Sequence, residues 1–254
     1  MKLRGKILLL GSTGMAGHTI KLYLEKVGYQ VDTLYMRIPR DMNYLSHVYE
    51  YDVVINCIGM LVKESEIDHG KTVFVNSYLP QYLAKRAKKL IHLSTDCVFD
   101  DNFYGRSKAL GEVVNDKDLT LRMSIIGADM KPKGTGLFNW FMQQEGEVDG
   151  YSEALWNGIT TLELAKVIDE AIKQDLTGLY SPLPKSPTNK YKLLYMIRKV
   201  FNKDIGIKLV EKGDDKVLVE TRKDFEYENK SYEKMLTEMK EWIDEHAELY
   251  PQYR

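Results

Sequence analysis

The stretch Lys6-Ile-Leu-Leu-Leu10-Gly11-Ser-Thr-Gly14-Met-Ala-Gly17 decides the fold. Its aliphatic run has no polar alternation, which is the pattern of a strand buried on both faces. Three glycines follow at intervals of three, and a helical period continues to about Val27. Further strands read at Val31 to Met36, Asp52 to Asn56, Leu90 to Ser94 and Leu119 to Ser124, with helices in most gaps, notably Ser77 to Lys88. Strands alternating with helices, joined by right-handed crossovers, predict an α/β fold with a Rossmann-like, doubly wound parallel sheet. Between Arg37 and Tyr51 there is little room for both a strand and a helix, so that edge of the sheet is expected to be abbreviated.

Beyond about residue 125 the pattern changes. Thr160-Thr-Leu-Glu163 has the form of a capping box ahead of an apolar stripe. A proline-rich stretch from Ser181 to Pro187 interrupts regular structure, and helices follow at about Asn189 to Phe201 and Ser231 to His246. The expected organisation is a nucleotide-binding domain over 1–125 and a smaller C-terminal α/β substrate lobe over 126–254. The boundary is soft, because some later segments are expected to return to the sheet.

In such a sheet the first glycine permits a tight turn, the second lets backbone approach a pyrophosphate, and the third lets helix and strand pack closely. The free N–H groups and positive end of the helix then favour phosphate. The spacing here is G-x-x-G-x-x-G, and its place at the first strand-to-helix junction gives it weight. Gly11, Thr13, Gly14, Met15 and Gly17 are the candidate cofactor contacts of this turn. The second strand ends without the acidic residue that serves a ribose 2′-hydroxyl; Arg37 and Arg40 follow instead. Guanidinium groups pair a 2′-phosphate, so NADP(H) is favoured, with NAD(H) as the alternative.

Ligands of these sheets bind beyond the carboxyl ends of the strands. Asn56, Cys57 and Gly59 follow one such end and Thr95 another. Tyr104 and Lys108 are four apart and share a helix face. A free phenol titrates near pH ~10, and a nearby ammonium and a cationic nicotinamide ring both favour phenolate. Thr95 can hydrogen-bond a carbonyl, and Lys108 can hold ribose hydroxyls.

Gly11-Ser-Thr-Gly14-Met-Ala-Gly17, Ser94-Thr-Asp-Cys-Val-Phe99 and Tyr104-Gly-Arg-Ser-Lys108-Ala-Leu-Gly-Glu112 together resemble the extended short-chain dehydrogenase/reductases. Within these the chain is most similar to the dTDP-4-dehydrorhamnose reductase-like branch, over roughly residues 5 to 127. The resemblance implies catalytic roles for Thr95, Tyr104 and Lys108, and a cofactor-side role for Asn76. It implies reduction of a nucleotide-activated 4-keto sugar in a pathway making cell-surface sugars. Lys131, Lys133 and Arg222 are the candidate cations for the substrate diphosphate, and Trp156 a candidate wall of its pocket. One departure is clear: only nine positions separate Thr95 from Tyr104, where the family carries a long loop that lines the pocket.

Two other functions remain. One is an epimerase or dehydratase that retains its cofactor, with Asp96 as its acid. The other is a non-catalytic NAD(P)-binding regulatory subunit. The net charge of -1 gives no global field for nucleic acid or an anionic membrane. No apolar run reaches spanning length, and the one at the N-terminus is too short for a secretory signal. Cys57 and Cys97 at the ends of apolar runs fit a reducing cytoplasm. The five His lack metal spacing, and Ser94 and Ser124 lack hydrolase partners in a recognisable order. A homodimer is compatible with the sequence, which does not specify assembly.

Overall fold

A computed structural model describes residues 5–253. Lys6–Leu10 (β1), Gln30–Leu34 (β2), Val53–Asn56 (β3), Leu90–Leu93 (β4) and Leu119–Leu121 (β5) form one sheet with a sixth strand, Gly178–Tyr180. Every pairing is parallel, in the order sixth strand, β5, β4, β3, β1, β2. The chain therefore starts inside the sheet, runs to one edge, and crosses back to build the other. The reversal between β1 and β3 is the switch point where such folds hold ligands. Successive side chains of β1 go to opposite faces, as strand geometry demands. Ile7 and Leu9 join the core beneath the helices Thr161–Lys173 and Tyr232–Glu245, whereas Leu8 and Leu10 pack with Val75, Leu79 and Leu83 on the far side.

The edge beyond β2 is indeed short, with only a 3₁₀ segment, Met42–Glu50, before β3. The helical stretch expected over Ser77 to Lys88 begins earlier, at Val62, and ends at Ala84. Asp68 restarts it by accepting from the Lys71 backbone N–H at 2.9 Å, and Val73–Tyr78 forms a wide π-type turn. The sixth strand comes from the second half of the chain and pairs with β5. The Thr160 side chain accepts from the Glu163 N–H at 3.2 Å, but the Glu163 carboxylate turns instead to the Tyr227 hydroxyl at 2.7 Å. Only one half of the capping box is thus made.

Residues 211–230 contain no regular element, yet they are pinned to the body. The Asn157 side chain bonds both the N–H and the C=O of Leu218, at 2.9 and 2.8 Å, and Glu220 accepts from the Ser181 N–H at 2.6 Å. This segment straps the lobe across the sheet edge. Among the described residues no helix is long and apolar enough to cross a membrane, and no group of His, Cys, Asp or Glu is arranged to hold a metal.

Candidate active site

The helix after β1, Met15–Lys26 (α1), begins at Gly14 without a side-chain cap. A Cβ on Gly17 would lie 2.1 Å from the Gly11 carbonyl oxygen, so only glycine lets α1 start this close to the turn. A Cβ on Gly11 would meet the Cys57 backbone at 3.0 Å, so the turn is also pressed against the end of β3. Beside it opens a cleft of about 270 Å³. Ser12 and Thr13 form one wall, Leu34 to Ile38 a second, and Ile58 to Met60 a third. This is the switch-point crevice, and it fits the adenosine half of a dinucleotide in size, position and glycine-lined approach. Met15 leans away from the cleft, its sulfur 3.7 Å from the Asn139 amide nitrogen, and ties the turn to the second half of the chain.

Thr95 caps the 3₁₀ turn Asp96–Phe99 after β4, accepting from the Cys97 N–H at 3.2 Å. Its own hydroxyl donates to Asp96 Oδ1 at 3.0 Å. The helix Phe103–Gly111 then carries Tyr104 back so that its phenol interacts with the Thr95 hydroxyl. Gly105 makes this return possible in nine positions, because a Cβ there would sit 2.1 Å from the Cys97 carbonyl oxygen. The short loop closes because the second residue of Tyr-Gly-Arg-Ser-Lys is glycine. Lys108 is 5% exposed and donates to the Leu93 carbonyl at 2.6 Å. It also lies beside Gly59 of the cleft, whose Cβ would stand 3.9 Å from the ammonium. The three candidate catalytic residues therefore converge at the carboxyl edge of β4, next to the nucleotide crevice.

Burial sets the electrostatics. The Tyr104 phenol is pushed up to about 12 by desolvation, which outweighs the lowering influence of the Thr95 hydroxyl. Lys108 does not perceptibly lower it, contrary to the expectation of a phenolate-favouring ammonium, since that ammonium is turned to Leu93. Lys108 itself is lowered to about 8 by desolvation, against the raising influence of Glu112 and Cys57. Glu112 is held by Arg122 at 2.5 and 2.9 Å and accepts from Ser94 at 2.7 Å. The Cys57 thiol is pushed up to about 12 by burial, so it is an unreactive wall.

Several sequence-derived assignments need correction. Asn76 is fully buried, and its amide bonds the Met60 N–H and C=O and the Ser107 hydroxyl. It positions the cleft wall and the Tyr104 helix rather than offering an edge to the cofactor. Arg40 is taken by Asp41 in a two-pronged pair. Arg222 is likewise committed, to the Thr177 and Leu179 carbonyls and to Asp224, and so holds the strap to the sixth strand. Trp156 is buried against Tyr232 with ring centroids 5.8 Å apart, which makes it core. Lys131 and Lys133 stay exposed on a loop held by Asp129, which accepts from the Lys131 N–H at 3.0 Å.

Two lysines escape a reading from sequence. Lys71 lines the same cleft as Arg37. Lys216 reaches from the strap to an ion pair with Asp100, in the short loop itself. The strap is thus tied to the loop between Thr95 and Tyr104. Both side chains are partly buried, 30% and 24% exposed, so the pair is worth more than a surface contact. Replacing each with Ala and then both should give a coupling energy of roughly 1 kcal/mol by chemical denaturation. Strict additivity would show that the strap is not held there.

The fold and site define a Rossmann-like α/β protein in which Thr95, Tyr104 and Lys108 meet beside a glycine-lined cleft. No family model matches the chain, and no curated protein does. Solved structures are more informative. A dTDP-4-dehydrorhamnose reductase from Bacillus anthracis, in complex with NADP, superposes with a TM-score of 0.81 at 16% identity, covering 95% of this chain and 99% of that one. A dTDP-4-dehydrorhamnose reductase from Clostridium acetobutylicum does so at 0.76 and 19%, covering 94% and 99%. The UDP-glucose 4-epimerase of Thermotoga maritima, with UDP-glucose, reaches 0.73 at 16%, covering 95% and 99%. The likeness runs through the second half as well as the sheet, and at these identities it establishes the fold.

Proposed function

We propose that the protein is an NADPH-dependent reductase of a nucleotide-activated 4-keto-6-deoxy sugar. The observation that carries this reading is the meeting of Thr95, Tyr104 and Lys108 beside Gly59 of the nucleotide cleft. Bound NADPH would supply hydride to the keto carbon. Tyr104, whose raised pKa keeps it protonated at neutral pH, donates its proton to the oxygen, which becomes far more basic as the carbonyl is reduced. Thr95 turns its hydroxyl from Asp96 to the carbonyl and polarises it. Lys108 turns from Leu93 to the ribose hydroxyls and steadies the phenolate left behind. Lys131 and Lys133, exposed on the loop held by Asp129, are the candidate cations for the substrate diphosphate. Reductases and epimerases both occur among the similar structures, so the reaction direction is decided by the assay below.

Purified protein tests the reading. NADPH should be consumed with a dTDP- or UDP-4-keto-6-deoxy sugar. Isomerisation without net redox would favour the epimerase, and cofactor binding without turnover on any keto-sugar nucleotide would favour a regulatory subunit. The cofactor preference is separately testable at Arg37, which follows β2 on the cleft wall. Arg37→Ala should weaken NADPH by roughly tenfold and NADH by less than about twofold, read by fluorescence titration. Equal losses would reject a 2′-phosphate role.

A further inference from the structure

We infer that Lys71 is the second cation for the 2′-phosphate of NADP(H), acting with Arg37 in the same cleft. The inference rests on the reading that this cleft holds a dinucleotide. Two cations and no carboxylate line it. A 2′-hydroxyl calls for an acceptor, whereas a phosphate monoester with close to two negative charges calls for cations. Arg40, three residues on, is engaged by Asp41 instead and does not line the cleft. Asp41 also accepts from the Arg37 N–H at 2.7 Å, which fixes where the Arg37 side chain leaves the backbone.

Asp68 does the corresponding work for Lys71, holding its N–H at 2.9 Å at the start of a helical turn. Val75, four residues on, lines the same cleft, so Lys71 and Val75 point one helical face into it. Among the described residues neither the Arg37 guanidinium nor the Lys71 ammonium forms a close salt bridge; Asp41 acts on Arg37 only at longer range, and its carboxylate is already engaged by Arg40. Glycine-turn hydroxyls, Ser12 and Thr13, complete the rim.

The test is titration of wild type, Lys71→Ala, Lys71→Arg and Arg37→Ala with NADPH and with NADH, in low and high salt. Lys71→Ala should weaken NADPH about 5- to 10-fold and leave NADH within about twofold; Lys71→Arg should keep most of the selectivity, and salt should erode it. Equal loss of both nucleotides, or unchanged NADPH binding, overturns the role of Lys71. If Arg37→Ala lowers selectivity while Lys71→Ala leaves it unchanged, the Lys71 inference fails while the proposed function stands. A wild-type protein that takes up neither nucleotide overturns both.

Discussion

Tyr104→Phe should lower turnover by roughly three orders of magnitude while leaving NADPH affinity within about twofold, because a positioned general acid contributes about 10²- to 10⁴-fold. The substitution keeps the ring and removes one oxygen. Reduction of a carbonyl builds negative charge on its oxygen, which must be protonated as it forms. Among the described residues the Tyr104 phenol meets the Thr95 hydroxyl there, and Thr95 cannot replace a phenol, being a far weaker acid. Because burial pushes Tyr104 up to about 12, the phenol holds its proton across the neutral range, as a donor must. Its loss should therefore appear in kcat at every neutral pH. Near-normal turnover in Tyr104→Phe would remove the assigned proton donor.

Lys108→Met should abolish most of that activity and yet stabilise the fold. The folded-state pKa of Lys108 is lowered to about 8 from the ordinary 10.5. Between those values the unfolded chain binds a proton that the folded chain does not, so stability rises with pH across that window. Below pH 8 the charged form is buried at a cost of about 3 kcal/mol, from 1.36 kcal/mol per pKa unit. Methionine removes the charge and keeps the stem, but leaves the Leu93 carbonyl unpaired, which costs about 1–2 kcal/mol. A net gain of about 1–2 kcal/mol at pH 7 should raise Tm by several degrees, at roughly 2–4 °C per kcal/mol for a chain of this size. The difference should shrink as pH climbs from 8 towards 10.5. The wild-type turnover should fall over the same rise, as the ammonium is lost. A variant less stable at pH 7, by an amount independent of pH, would contradict the electrostatic description of Lys108.

Such a trade is expected at a site where function requires a buried charge. It also separates what the sequence reveals from what it conceals. The glycine turn and the Tyr104–Lys108 pair are legible because their geometry is local: a strand-to-helix turn and one helical turn fix them. Gly105 is local too, and its contact with the Cys97 carbonyl explains how a short loop can still close. Lys216 and Arg222 depend on where an irregular strap crosses the fold, which no periodicity encodes. Arg40 is a different lesson: Asp41 is its neighbour in sequence, and the competition for that guanidinium could have been read there. The sixth strand is only three residues long, Gly178–Tyr180, and becomes a strand through pairing with β5 rather than through its own pattern. Lys71 is hidden because the helix carrying it starts well before its apolar stripe; Asp68, three residues ahead, is the capping signal that could have exposed it.

The central claim is that hydride passes from a nucleotide in the glycine-turn cleft to a sugar carbon held against Thr95 and Tyr104. Single-turnover reaction of wild type and Tyr104→Phe with NADPH deuterated at the transferable position tests it most directly, with a dTDP-4-keto-6-deoxy sugar as acceptor and the product mass as readout. One deuterium should appear in the sugar with wild type and almost none with the variant on the same timescale. Saturating NADPH binding with an unlabelled, unreduced sugar in the wild-type reaction, or equal labelling by both proteins, would contradict it.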